Sequence, residues 1–113
     1  MKDPLVTVVE HLNYLKRAEK LLTPSQIEEI ADILAANPDS GDVMPGTGGC
    51  RKMRYAGVSG KGKSGGMRVI HLFVTAHQKV HLLDIYGKGE KANLTKAERN
   101  ELAKLVEILK KEK

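Results

Sequence analysis

Between Gly46 and Arg68 the chain reads GTGGCRKMRYAGVSGKGKSGGMR, a stretch that packs glycine and positive charge together without one carboxylate. Such a stretch suits phosphate, because lysine and arginine supply charge and hydrogen-bond donors while glycine lets the backbone approach closely. The acid-free region runs from Val43 to Leu83 and contains Arg51, Lys52, Arg54, Lys61, Lys63, Arg68 and Lys79, so it carries +7 while the rest of the chain sums to −2. The asymmetry is local and points to a surface that faces a polyanion.

Within Cys50–Tyr55, strand periodicity puts Lys52 and Arg54 on one face and Met53 and Tyr55 on the other. Two neighbouring cations on a pleated surface repel unless an anion sits above them. Arg68 opens the next strand and comes close if the two strands pair as a hairpin, with Lys61 and Lys63 overhanging from the glycine-rich connection. That cluster suits a phosphodiester. The segment also satisfies the nucleotide-binding pattern GxxxxGK[ST] from Gly57 to Ser64, and Gly60, Gly62 and Gly65 fit a dinucleotide fingerprint. Both motifs need a helix to follow and cradle the phosphates. Here Gly65-Gly66 and the β-branched run MRVIHLFVT follow, so a P-loop NTPase is rejected.

The other titratable residues offer less. His71 and His81 lie inside apolar strands, where they could face one another across a hairpin, and His77 falls in a turn; two histidines without a third ligand make no metal site. Asp84 and Glu90 form no carboxylate pair. Tyr86 ends a strand and is followed by Lys88 in a glycine turn, an arrangement that can bring a phenol and an ammonium to one rim or simply pack the tyrosine into the sheet.

The elements that position these residues are legible in outline. Leu5–Val9 predicts a strand leading into a helix over HLNYLKRAEKLL, with Leu12, Leu15 and Leu22 as its apolar residues. Thr23-Pro24-Ser25-Gln26 is a capping box that opens a second helix, whose buried stripe is Ile27, Ile30, Ala31 and Leu34 and which should stop at Asn37-Pro38. Gly41–Gly49 reads as a loop, followed by strands near 50–56, 67–75 and 79–87 joined by short turns. Thr95-Lys96-Ala97-Glu98 caps a C-terminal helix with Leu102, Leu105, Val106 and Leu109 inward. The expected class is α+β: one small domain over residues 1–113, an antiparallel sheet of about four strands, an N-terminal helical hairpin and a C-terminal helix, with the helices on one side.

With 113 residues and 41% hydrophobic content, the chain can bury one modest core. A single cysteine, Cys50, excludes an internal disulfide and a cysteine-based zinc site, and fits a reducing cytoplasm. Glu10 and His11 interrupt the N-terminal apolar run, and no stretch approaches a membrane span, so a soluble, unexported protein without membrane contact is expected.

The runs GDVMPGTGGCRKMRYAGVSGKGKSGGMRVIHLF and LLDIYGKGEKANLT resemble the RelE superfamily of bacterial toxins, specifically its HigB-type branch, over essentially the whole chain. The resemblance implies a compact α+β fold and a metal-independent, cofactor-free endoribonuclease that cuts mRNA on the ribosome. It also implies a cognate antitoxin, often a helix-turn-helix protein, through which alone the pair contacts operator DNA. Lys52 and Arg54 match the basic strand that lines the family's active site, and Arg68 matches the arginine that contacts the scissile phosphate. Tyr86 and Lys88 fall in the family's IYxK segment as further catalytic positions. Lys61 and Lys63 match the family's basic loop, and together with Arg51 they are the expected RNA-binding residues. The chain departs from the pattern at His71-Leu72, where relatives carry two tyrosines, at Asn93, where an acid is usual, and at Cys50, where leucine is common.

The implied reaction is attack of the RNA 2′-OH on the adjacent phosphorus. Arg68 and Arg54 would stabilise the phosphate, Lys52 would be the candidate base, and Lys88 or Tyr86 would protonate the leaving oxygen. The alternative is a non-catalytic RNA- or DNA-binding module that uses the same basic face.

Overall fold

A computed structural model of the chain describes residues 6–56, 66–87, 89–90 and 93–112. These form β1 (Thr7–Glu10), α1 (Leu12–Leu21), α2 (Pro24–Ala36), β2 (Asp42–Val43), β3 (Arg51–Tyr55), β4 (Met67–Val74), β5 (Lys79–Gly87) and α3 (Lys96–Lys111), with a 3₁₀ turn at Thr75–His77 between β4 and β5. The strands make one five-stranded sheet in the order β1-β5-β4-β3-β2.

Local chemistry sets the helix boundaries. Thr23 and Thr95 each accept from the backbone N–H three residues on, and the Gln26 and Glu98 side chains reach back to the cap N–H, so both predicted capping boxes form. Pro24 occupies the first turn of α2, where its missing N–H costs nothing. The helix ends at Ala36, before Asn37-Pro38. In α1 the buried residues are Tyr14 and Ala18, whereas Leu12 is 68% exposed, so the stripe is rotated from the expected Leu12 position.

Two expectations are corrected. The sheet is mixed: β2–β3, β3–β4 and β4–β5 pair antiparallel, but β1 runs parallel to β5, with Thr7 opposite Lys79 and Glu10 opposite Leu82. The α1–α2 hairpin lies between β1 and the rest of the sheet in sequence, so β1 can return alongside β5 in the same direction. The helices also cover both faces. Met53, Tyr55, Val69, Val80, Leu82 and Ile85 join α1 and α2 through Tyr14, Ala18, Leu22, Ile30 and Leu34. Ile70, Leu72, Val74, Leu83 and Tyr86 join α3 through Val106 and Leu109, together with Met44, Cys50 and Leu94. This division explains why β4 reads as apolar on both faces.

A fifth strand, β2, lies in the predicted loop. It is two residues long, pairs Asp42 with Lys52 and Val43 with Arg51, and depends on a glycine. Gly41 has φ +84°, and a Cβ there would sit 2.3 Å from the Lys52 carbonyl oxygen. Gly41→Ala is therefore expected to cost about 1–3 kcal/mol or more, lowering the thermal midpoint by roughly 5–10 °C in a calorimetric scan.

Candidate functional site

Strand register assembles the cations. Arg54 on β3 lies opposite Arg68 on β4, and Arg68 lies opposite Tyr86 on β5. The adjoining row is Lys52, Ile70 and Asp84. Directly opposed residues share a sheet face, so Lys52, Arg54, Arg68 and Tyr86 all belong to the α3 face. Like charges directly opposite one another are destabilising, and Arg54 against Arg68 is such a pair.

The two guanidinium groups converge beside Gly66. A Cβ placed on Gly66 would lie 3.3 Å from Arg54 Nε and 3.4 Å from Arg68 Nη1, and the residue has φ +98°. Glycine is thus required here both for its backbone conformation and for the room it leaves. Arg54 is exposed and Arg68 half-buried. Arg68 Nη1 is shielded from solvent and has no hydrogen-bond partner among the described residues. A buried guanidinium N–H without an acceptor is costly, and an anionic oxygen held between the two arginines would satisfy it. Gly66→Ala is expected to crowd this point and, if an anion is held there, to weaken binding of a labelled oligonucleotide about tenfold, as read by fluorescence anisotropy.

The remaining predicted positions divide. Tyr86 holds the third place in the row, but its ring is fully buried in the cluster with Ile70 and Leu94, so packing dominates its surroundings. Arg51 is not brought to the row: alternation puts it on the opposite face from Lys52, and its Nη1 donates to the Gly41 carbonyl at 2.8 Å. Lys61, Lys63 and Lys88 lie outside the described residues, as does the GxxxxGK[ST] stretch. The chain is already in strand β4 from Met67, which leaves no length for the phosphate-cradling helix that motif needs.

The other titratable groups are poised away from acid–base work. His71 is opposite Leu82 rather than His81, because the turn pairs Val74 with Lys79 and the unbroken ladder from there sets Leu72 against His81. Its Nε2 meets the Ser40 carbonyl at 3.0 Å, and burial pushes its pKa down to about 4, so it is neutral at physiological pH. His81 instead meets His11, Nδ1 to Nε2 at 2.9 Å, at the opposite end of β5 from Tyr86. Burial lowers both, and the His11 imidazole further disfavours charge on His81. Cys50 is fully buried, and desolvation pushes its thiol up to about 11, which makes it a packing residue and not a nucleophile. Asp84, in the row of Lys52 but separated from it by Ile70 on the intervening strand, pairs with Arg17 Nε at 3.2 Å, and the same arginine engages Glu90. Among the described residues no three His, Cys, Asp or Glu side chains gather as a metal site, and no helix is long and apolar enough to cross a membrane.

One feature of this face is not apparent from the sequence. Lys96, Arg99 and Asn100 line a cavity with Leu94 and the Pro45-Gly46 turn. The available signal is a pair of cations at i and i+3 in the first turns of α3, where the helix dipole favours acids.

No protein-family model matches the sequence. Comparison with solved structures places the architecture in one class, the small α+β fold of the RelE toxins. The E. coli toxin RelE, solved in the free state as a variant with two arginines replaced by alanine, aligns with a TM-score of 0.59. The alignment covers 91% of this chain and 98% of that one at 14% identity, so what the two share is the fold.

Proposed function

We propose that this protein is the toxin of a toxin–antitoxin pair, of the HigB type, and that it cleaves mRNA on the ribosome. The observation that carries the reading is the convergence of Arg54 and Arg68 on one point beside Gly66, with Arg68 Nη1 lacking a partner among the described residues. Opposed arginines on a RelE-type sheet make electrostatic sense once a phosphodiester occupies the space between them.

In this mechanism the scissile phosphate bridges the two guanidinium groups. The 2′-oxygen forms a bond to phosphorus and loses its proton to the Lys52 amine, taken in its neutral form. The bond from phosphorus to the 5′-oxygen breaks, and that oxygen takes a proton, with Lys88 as the donor and Tyr86 fixing the floor of the row. The products are a 2′,3′-cyclic phosphate and a 5′-hydroxyl. Arg54 and Arg68 hold negative charge as it builds on the non-bridging oxygens, which lowers the barrier without a bound cofactor. The ribosome supplies the alignment of the attacking and leaving oxygens, so activity on free RNA is expected to be weak. Lys61 and Lys63 track the flanking backbone. A cognate antitoxin with a helix-turn-helix domain neutralises the toxin in the cytoplasm and carries the complex to operator DNA.

A second reading is favoured by the burial of Tyr86. If no proton donor reaches the leaving oxygen, the same face is a non-catalytic RNA- or DNA-binding module. Expression of the chain alone in a bacterial host separates the two. The toxin reading predicts growth arrest with loss of full-length mRNA, reversed by co-expression of the neighbouring antitoxin gene. Unimpaired growth with intact mRNA at high expression contradicts it.

A further inference from the structure

Of the charged clusters outside the arginine row, the one at the start of α3 carries the most. Lys96, Arg99 and Asn100 fall at i, i+3 and i+4, so they share one side of the helix. They line a cavity of about 490 Å³ together with Pro45, Gly46 and Leu94. That volume lies within the size range of small-ligand sites and accommodates one nucleotide. Glu98 and Glu101, on the other side of the helix, line a separate groove against α1. The first turns of α3 are thus sorted by charge, with cations toward the Pro45-Gly46 turn and acids away from it.

Two further observations point to an anion here, and a third says which groups would hold it. Lys96 and Arg99 stand where the positive end of the helix dipole opposes them, so their placement costs stability and is not explained by folding. The backbone donors of this helix end are in part engaged by the Thr95 hydroxyl, so the attraction comes from the side chains. Arg99 Nε is shielded from solvent and has no hydrogen-bond partner among the described residues.

The facing wall is built to hold its shape. Thr47 is fully buried, donates through Oγ1 to the Met44 carbonyl at 2.7 Å and accepts from Cys50 N at 3.1 Å. Gly48 packs against Val106, and Lys110 Nζ donates to its carbonyl at 3.2 Å, so the GTGG turn is fastened to α3. Gly46, in contrast, opens onto space, with nothing within 4 Å of where a Cβ would be. Leu94 belongs to the same apolar cluster as Ile70 and Tyr86, which sit in the rows of Lys52 and Arg68, so the cavity and the arginine row lie on the same face of the sheet.

We infer that the cavity between Pro45-Gly46 and the Lys96/Arg99/Asn100 side of α3 is a second RNA subsite, which binds the phosphate of a nucleotide flanking the one held by Arg54 and Arg68. The inference rests on the RNA-directed reading of that row. Lys96 and Arg99 neutralise the flanking phosphate, Asn100 offers its amide, and the glycine turn leaves room for the backbone.

The test is binding of a 2′-O-methylated single-stranded RNA of about six nucleotides, which cannot be cleaved, followed by fluorescence anisotropy over a salt series. The Lys96→Ala/Arg99→Ala protein should bind about tenfold more weakly at low salt, with a slope of log affinity against log salt smaller by about 0.7 for each phosphate no longer neutralised. Its thermal midpoint should stay level or rise, because two charges that oppose the helix dipole are gone. Lys104→Ala, which removes a cation from the other side of α3, should bind like wild type. Wild-type affinity and slope in the double variant, or an equal loss in Lys104→Ala, overturns the subsite. Arg54→Ala/Arg68→Ala keeps the two readings apart: if it abolishes binding while the α3 variant is neutral, only the subsite fails. If it is neutral while the α3 variant loses affinity, the subsite stands and the arginine row is misassigned.

Discussion

Arg68→Ala is expected to slow RNA cleavage by about 10²–10³-fold, the usual cost of removing one preorganised charge donor from a site that stabilises an oxyanion. The effect should fall on turnover more than on apparent affinity, because in the proposed mechanism Arg68 meets charge that grows as the 2′-oxygen attacks. Stability supplies the control. Arg54 and Arg68 are opposed like charges, and Arg68 Nη1 is shielded without an acceptor among the described residues, so alanine removes a repulsion and a desolvated donor. The variant should melt at or slightly above the wild-type temperature while losing activity. A structural arginine would show the reverse, with lost stability and activity falling only as far as the folded fraction falls. Arg68→Lys keeps the charge without the fork of donors and should recover only part of the rate.

The second large effect is on stability in mild acid. His71 is fully buried and held neutral, with its pKa pushed from 6.5 to about 4, first by desolvation and further by the Arg51 charge. In the unfolded chain the same imidazole titrates near its ordinary value, so between those two pKa values the unfolded state binds a proton that the native state does not. Stability is therefore fully present above about pH 6.5 and is lost as pH falls toward 4. The loss attributable to His71 should reach about 2 kcal/mol at about pH 5 and about 3 kcal/mol below its folded pKa. His11 and His81 are lowered for the same reason and act in the same direction. Urea denaturation at about pH 7.5 and about pH 5 reads the difference, largely above the range where carboxylates titrate. His71→Leu should flatten most of it, and an unchanged pH dependence in that variant would show that His71 does not carry the effect.

The capping boxes at Thr23 and Thr95 are legible in the sequence because they are local: the side chain and the N–H it caps are separated by three residues, and spacing alone brings them together. The alternation Lys52, Met53, Arg54, Tyr55 is legible for the same kind of reason, and the structure buries Met53 and Tyr55 as expected. Long-range pairing is not. The parallel placement of β1 against β5 depends on how the α1–α2 hairpin returns the chain, which no short pattern encodes. The two-residue β2 is too brief to show a period, and its place depends on Gly41 passing 2.3 Å, in Cβ terms, from the Lys52 carbonyl. Arg51 groups with the phosphate-facing cations in the sequence because a charge run looks uniform along the chain, whereas a strand sends alternate members to opposite faces. Whether His71 meets His81 depends on the length of the turn between their strands, and the pairing of Val74 with Lys79 leaves the two one place out of register. The cations of α3 carry a readable anomaly, positive charge at a helix N-terminus, but only the tertiary structure shows that they share a cavity with the glycine turn.

The most direct test of the central claim is a reconstituted translation reaction in which purified protein meets mRNA on programmed ribosomes and the ends of any fragments are characterised. The account predicts fragments that carry a 2′,3′-cyclic phosphate on one side and a 5′-hydroxyl on the other, formed far faster with ribosomes than without and nearly absent with Arg68→Ala. Intact mRNA in the presence of bound wild-type protein, or cleavage by Arg68→Ala at the wild-type rate, would contradict it.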